Sequence, residues 1–295
     1  MIGLIGVTAL VAVIVAQQKL NQTQTFRSHD SVIVAASFYP HAFFAQEIGG
    51  NRVSITNLTP VGAEPHEFVP TAKDIASIYQ ADVFLYNGAG VDAWATATAK
   101  ETGQAGVETV QMSSNETIDG HIWLDPILAK QEVETIRDAF ITVDPAHEQE
   151  YVSNADALTS KLTNLDLAYS KGLASCEKHI AITSHAAFGY LAKRYGFEQM
   201  AITGFSPEQE PSAGDLAQLT QKAKTAGVKY IFFETLVNPK LAQTLAQEIG
   251  GGTLVFNPIE GLTQEDLNTD ADYFSIMQSN LEHLKMALVC QVKSS

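Results

Sequence analysis

Between residues 144 and 172 the apolar positions fall into one stripe. Tyr151, Ala155, Leu158, Leu162, Leu165 and Tyr169 recur at steps of four and three. A helix of that length spans roughly 40 Å, enough to join two bodies as a stiff rod. The chain has 295 residues, and at about 100–200 residues per domain two lobes are expected.

The sequence on either side of the stripe fits this division. Before it, VIVAA (32–36), VSITNL (53–58), DVFLYN (82–87) and VETVQM (107–112) read as strands. Between them HAFFAQEIGG ends a helix on glycine, and TAKDIASIYQ starts one on Thr71 with Asp74 as its capping-box partner. After the stripe, HIAITS (179–184), FEQMAIT (197–203), KYIFFE (229–234) and TLVFN (253–257) repeat the rhythm. Helices are expected over AAFGYLAKRYG, SAGDLAQLTQKAKTAG, NPKLAQTLAQEIG and the closing segment 270–290. IVAASFYPHAFFAQEIGGNRVSIT and IAITSHAAFGYLAKRYGFEQMAIT share strand, Ser, His-Ala, an aromatic residue, glycine and a second strand. The expected fold is α/β: two similar lobes, each with a parallel sheet flanked by helices, joined by one long rigid linker helix. The expected divisions are a leader and tether (1–30), an N-terminal lobe (31–144), the linker (145–175) and a C-terminal lobe (176–295).

The net charge of −15 comes without a basic cluster, which argues against nucleic acid as a partner. Residues 2–16 are uncharged and mostly apolar. That run is short for a membrane span and suits a secretory signal, so export is expected, with an uncleaved anchor as the alternative. Cys176 and Cys290 can be a disulfide outside the cytoplasm or two free buried thiols.

In open α/β sheets ligands sit beyond the carboxyl ends of the strands. The polar residues at those ends are His66, His121, His185, Glu234 and Glu260. Three imidazoles and one carboxylate from both halves suit four-coordinate zinc, whereas calcium and magnesium want mostly oxygen and manganese a larger carboxylate share. His41, in FYPH, is a weaker candidate for the metal or its surroundings; His29, His147, His179 and His283 read as surface residues. HExxH, GxSxG, GxGxxG and GxxxxGK[ST] do not occur, and four protein donors would close a zinc site to water. No enzymatic activity is expected.

EPHEFVPT, HIWLDP, TSHAAFGYLAKRYG, GFSPEQEPS, NPKLAQTLAQEIG and NPIEGLT, in that order, together resemble the zinc- and manganese-specific solute-binding proteins of bacterial ABC importers, a family of metal-binding lipoproteins and adhesins. The resemblance runs from about Val32 to the C-terminus. It implies metal capture between two lobes and delivery to a membrane permease and its ATPase by a monomeric, extracytoplasmic protein. Carried over by motif, the ligands are His66, His121 and His185, the last resembling the zinc branch, with Glu260 as the acid after the last strand. Asn257 stands where other members place an aspartate, and Glu234 becomes a supporting residue. The segment GQAGVETVQMSSNETIDG departs from many zinc members in having no histidine-rich loop. Manganese or iron uptake, a zinc-dependent hydrolase and a surface adhesin are the alternatives.

Overall fold

Backbone hydrogen bonding sorts the strands into two four-stranded sheets. The computed structural model describes residues 31–114 and 117–291, so the expected leader, tether and His29 lie outside the described residues. The first sheet contains β1 (Val32–Ala36), β2 (Val53–Asn57), β3 (Val83–Tyr86) and β4 (Glu108–Gln111), in the order β2-β1-β3-β4. The second contains β5 (Ile180–Thr183), β6 (Glu198–Ala201), β7 (Tyr230–Phe233) and β8 (Gly252–Val255), in the order β6-β5-β7-β8. All pairings are parallel. The two halves therefore repeat one topology, as the internal similarity of their sequences implies. In each sheet the first strand pairs with the second and the third. The βα loops beyond the carboxyl ends thus converge on one edge of each sheet.

Local chemistry accounts for most of the helices. Thr71 caps Ala72–Gln80 and Ser212 caps Ala213–Ala226, each in a capping box with Asp74 or Asp215. Asp125 accepts from the backbone N–H groups of Ile127 and Leu128 and starts Pro126–Val143. The Asn238 side chain accepts from Lys240 N–H at the head of Lys240–Ile249. Two helices escape the periodicity argument. Ala95–Gln104 buries only Ala95, Ala99 and Thr102, and Gln264–Asn268 buries nothing, so neither carries a large apolar stripe. The helix expected from 186 begins only at Gly189, because Ala186 N–H donates to Gly204 carbonyl oxygen in a neighbouring loop.

The stripe at 144–172 becomes a 3-10 turn, Pro145–His147, followed by the 25-residue helix Glu148–Gly172, which buries all six stripe residues. It packs along its length instead of bridging open space. Asn154 donates to Ile48 carbonyl oxygen (2.9 Å) in the first half, and Tyr169 OH donates to Met277 carbonyl oxygen (2.7 Å) in the last helix, Tyr273–Ala287. One apolar cluster runs through the helix from Val34 and Leu85 to Phe188, Phe256 and Tyr273. Smaller clusters fill the outer faces of the two sheets. Cys176 and Cys290 form a disulfide across 114 residues, beside an antiparallel bridge between the same residues. On the chain-entropy argument a loop of that size is worth about 4–5 kcal/mol.

Candidate metal site

His66, His121, His185 and Glu260 come together where the two sheets' carboxyl edges face each other. One donor atom from each lies within 4.8 Å of the others. His66 sits in the loop between β2 and Ala72–Gln80; His121 precedes the 3-10 turn Ile122–Leu124. His185 follows β5 by two residues and Glu260 comes from the turn after β8. The four side chains are between 0% and 5% exposed.

Glu260 Oε1 is the hub. It lies 3.1 Å from His121 Nε2, 3.2 Å from His185 Nε2 and 3.4 Å from His66 Nε2. The Nε2 atoms of His121 and His185 are 3.2 Å apart. A tetrahedral zinc ion with bonds of about 2.0–2.1 Å requires donor–donor edges of about 3.3–3.4 Å. These four edges are close to that length. Glu260 Oε2 is buried without a hydrogen-bond partner.

Two of the histidines are gripped in the same way. Asp119 Oδ1 accepts from His121 backbone N–H (3.0 Å) and lies 2.8 Å from its Nδ1. Glu234 accepts from His185 backbone N–H (3.0 Å) with Oε1, while Oε2 lies 2.7 Å from Nδ1. A carboxylate on Nδ1–H leaves the Nε2 lone pair facing the centre, which fixes the tautomer a metal needs. Thr183 Oγ1 and Gln199 Nε2 both donate to His185 carbonyl oxygen, which fixes the turn as well. His66 has half of this device. Glu64 Oε1 accepts from its backbone N–H (3.2 Å), and Glu64 Oε2 has no partner, so neither oxygen holds the ring.

Burial opposes charge on His185, but Glu234 and Glu260 outweigh it and raise its pKa well above the ordinary imidazole value. Asp119 and Glu260 do the same for His121 against its burial. Burial would raise Glu260, yet the imidazoles, His185 foremost, hold it well below the usual carboxylate range. Glu64 is pushed up to about 9, first by burial and then by the Glu260 charge.

The Glu260 turn is itself strained. Ile259 is fully buried and has φ +59°, a left-handed conformation rare for a β-branched residue. Asn257 Oδ1 accepts from Ile259 N–H (2.8 Å), and Asn280 clamps Asn257 through both its backbone N–H and its carbonyl oxygen. Asn257 thus shapes the turn that presents Glu260. On the opposite wall, a Cβ at Gly120 would come 2.8 Å from Asn87 Nδ2 and Val91 Cγ2, so the residue before His121 has no room for a side chain.

Bonds between the halves surround the site. Trp123 Nε1 donates to Pro258 carbonyl oxygen (2.7 Å), Tyr273 OH to Trp123 carbonyl oxygen (2.6 Å) and Tyr190 OH to Asp119 carbonyl oxygen (3.1 Å). Arg194 pairs with Asp125. Asp119, Trp123 and Arg194 escape a search restricted to strand ends. The signal for Asp119 is its spacing: it stands two residues before His121, as Glu64 stands two before His66. His41 lies outside the donor group. It is buried beside Glu132 (Nε2 to Oε1 3.4 Å), and the rings of Phe38 and Trp123 stand between it and His121. Two of the histidines read as surface residues are half-buried: His147 pairs with Asp144 and His283 Nδ1 reaches Val255 carbonyl oxygen.

The family model described as zinc-uptake complex component A, periplasmic (ZnuA), matches residues 34–287. The chain belongs to the ZnuA family. The high-affinity zinc uptake system protein ZnuA of Bacillus subtilis is 38% identical over 282 residues, covering 88% of each protein. The zinc-binding lipoprotein AdcA of Streptococcus pneumoniae is 35% identical; the match takes in 85% of this chain but only 55% of AdcA, so this ZnuA-family chain spans about half of that relative. The crystal structure of Zn(II)-bound AdcA has a TM-score of 0.78 at 36% identity, over 88% of this chain and 58% of AdcA. The laminin-binding protein Lmb of Streptococcus agalactiae, described as having adhesin and metal-transporting activity, has a TM-score of 0.79 at 31% identity, over 88% of this chain and all of Lmb.

Proposed function

We propose that this ZnuA-family protein captures Zn²⁺ between its two lobes and delivers it to the permease of an ABC importer powered by an ATPase. His66, His121, His185 and Glu260 are the proposed ligands, and zinc is the cargo. The observation that carries the reading is the set of donor–donor edges of 3.1–3.4 Å, three meeting at Glu260 Oε1 and one between the Nε2 atoms of His121 and His185. Three neutral imidazoles and one carboxylate suit zinc, and manganese would ask for a larger oxygen share. Four protein donors occupy the tetrahedron and leave no position for an activated water, which favours a carrier over a hydrolase.

Binding exchanges protons for metal. Without zinc, His121 Nε2 hydrogen-bonds to Glu260 and His185 Nε2 pairs with the same oxygen; a proton carried there leaves when zinc binds. Asp119 and Glu234 keep the Nδ1 protons throughout. The bonds from Trp123, Tyr190 and Tyr273 favour a small rearrangement over a wide opening of the lobes. Work outside the cytoplasm follows from the reading as an importer component. Among the described residues no helix is long and apolar enough to cross a membrane.

Competitive dialysis of the purified protein against equal zinc and manganese, with metal content measured afterwards, tests the proposal. One zinc per chain is expected. Retention of manganese in its place, or unchanged zinc affinity in His185→Ala, overturns it.

A further inference from the structure

Asp119 aims His121, and the other half of the molecule decides where Asp119 can stand. Its Oδ1 meets both His121 groups, the backbone N–H at 3.0 Å and Nδ1 at 2.8 Å. Its Oδ2 faces Gly189, the first residue of the helix Gly189–Tyr195. A Cβ at Gly189 would come 2.8 Å from Oδ2, well inside van der Waals contact. Among the described residues, Oδ2 is the one atom beyond the glycine's own stretch of chain within 4 Å of that Cβ. The next residue acts on the backbone: Tyr190 OH donates to Asp119 carbonyl oxygen (3.1 Å). Two adjacent residues of one helix thus meet the side chain and the main chain of the same aspartate.

The glycine side of this contact has little room to retreat. Phe188 is fully buried, its ring stacked on Phe256 with centroids 3.6 Å apart, and its N–H donates to Gln199 Oε1 (3.1 Å). Gln199 also donates to His185 carbonyl oxygen (2.9 Å). The segment 185–190 therefore carries His185 at one end and the wall against Asp119 at the other, both fixed by Gln199. Asp119 lies outside the strands and helices, with 15% of its side chain exposed, so it is the partner that yields.

We infer that Gly189 and Tyr190 are positioning residues for zinc capture: the missing side chain of Gly189 leaves the gap in which Asp119 can hold His121, and Tyr190 pins the Asp119 backbone there. The inference rests on the capture reading, with His121 as a ligand. It sets the two gripped histidines apart. Glu234, which holds His185, comes from the same half as its histidine, whereas Asp119 takes its place from the opposite half. His121 is therefore fully aimed only when the halves are together. A small parting of the halves is enough to free Asp119 and loosen His121.

Gly189 does not have a left-handed φ, so alanine suits its backbone and adds only a methyl group against Asp119. Zinc affinity of the full chain, measured against a competing chelator, should fall by about 10-fold or more in Gly189→Ala, the loss expected when a ligand's outer carboxylate is disturbed. In an Asp119→Ala background the oxygen that the methyl group would strike is gone, and the same substitution should change affinity by less than about twofold. A general weakening of the fold would cost the same in both backgrounds. Nuclear magnetic resonance of the zinc-loaded protein gives the second readout. The hydrogen-bonded Nδ1–H signal of His121 should move in Gly189→Ala, while that of His185, held by Glu234, stays. Tyr190→Phe should weaken zinc by about 2–10-fold, the worth of one hydrogen bond. Unchanged affinity in Gly189→Ala, an equal loss in the Asp119→Ala background, or an unmoved His121 signal overturns the inference. Unchanged affinity in Tyr190→Phe removes Tyr190 from it. His121→Ala separates the two readings. If it keeps full zinc affinity, the capture site is wrong. If it loses zinc while Gly189→Ala keeps it, the positioning role alone falls.

Discussion

His185 and His66 approach the same carboxylate oxygen from opposite halves of the molecule, but they are held very differently. The His185 ring is fully buried, with Glu234 on both its backbone N–H and its Nδ1, and Thr183 and Gln199 on its carbonyl oxygen. His66 is 5% exposed at its side chain, in a loop with a proline on either side, and Glu64 holds only its backbone N–H. His121 resembles His185, with Asp119 in the place of Glu234. The difference teaches that prolines can restrict a loop without aiming an imidazole. A carboxylate on Nδ1 does the aiming. On this view His121, His185 and Glu260 form a prepared half-site, and His66 completes it as the ion arrives.

His185→Ala is the strongest way to break the comparison. It removes a proposed ligand and leaves Glu234 buried with no ring to hold, so zinc affinity should fall by more than the roughly 100-fold that outer partners alone reach. Isothermal titration against a competing chelator measures it. His66→Ala should also lose affinity, but with a smaller change in the stability of the metal-free protein, because His66 makes fewer fixed contacts; thermal melts with and without zinc separate the two. Next comes Glu234→Gln, which keeps the shape and removes the charge that orients His185. A loss of about 10–100-fold is expected, with Asp119→Asn near the lower end. An equal loss in Glu64→Gln would contradict this contrast between the histidines, since Glu64 holds only the His66 backbone N–H.

A smaller effect is the dependence on pH. Zinc needs a free Nε2, and His185 and His121 both have raised pKa values. Affinity should therefore rise with pH through those raised values and fall below them. In the metal-free protein the sign is reversed. The stability contributed by protonated His185 is complete below its ordinary value of 6.5 and is lost as pH rises through its raised folded value. Glu234→Gln should shift both profiles toward lower pH, whereas His66→Ala should leave the His185 share of each in place. The mildest change is Asn280→Ala, which frees the Asn257 clamp behind Ile259. A stability loss of about 1–3 kcal/mol is expected from the unpaired buried groups, with a modest loss of zinc affinity as Glu260 loosens.

Much of this was legible in the amino-acid order. Strand and helix succession is a matter of local pattern: VIVAA and KYIFFE are apolar runs, and Thr71, Asp125 and Ser212 announce helix starts through their own side chains. The stripe from Tyr151 to Tyr169 marks the linker because helical period is a one-dimensional signal. The rule that sites lie beyond strand ends picked out His66, His121 and His185 together with the two acids Glu234 and Glu260. Which acid meets the Nε2 atoms was not decidable at that level: both follow strands, and only the resemblance to a family favoured Glu260.

Tertiary structure decided the rest, for reasons of distance. Glu234, just after β7, meets the Nδ1 side of His185, while the strained turn at Ile259 carries Glu260 to the Nε2 side. Cys176 and Cys290 meet although 114 residues separate them. The linker helix is packed within a continuous core and is no bare rod, since its stripe is covered from both halves at once. Sequence order determines which groups a protein possesses and what each short segment prefers. Only the three-dimensional chain settles which oxygen stands 3.1 Å from which nitrogen, because that depends on contacts between residues far apart along it.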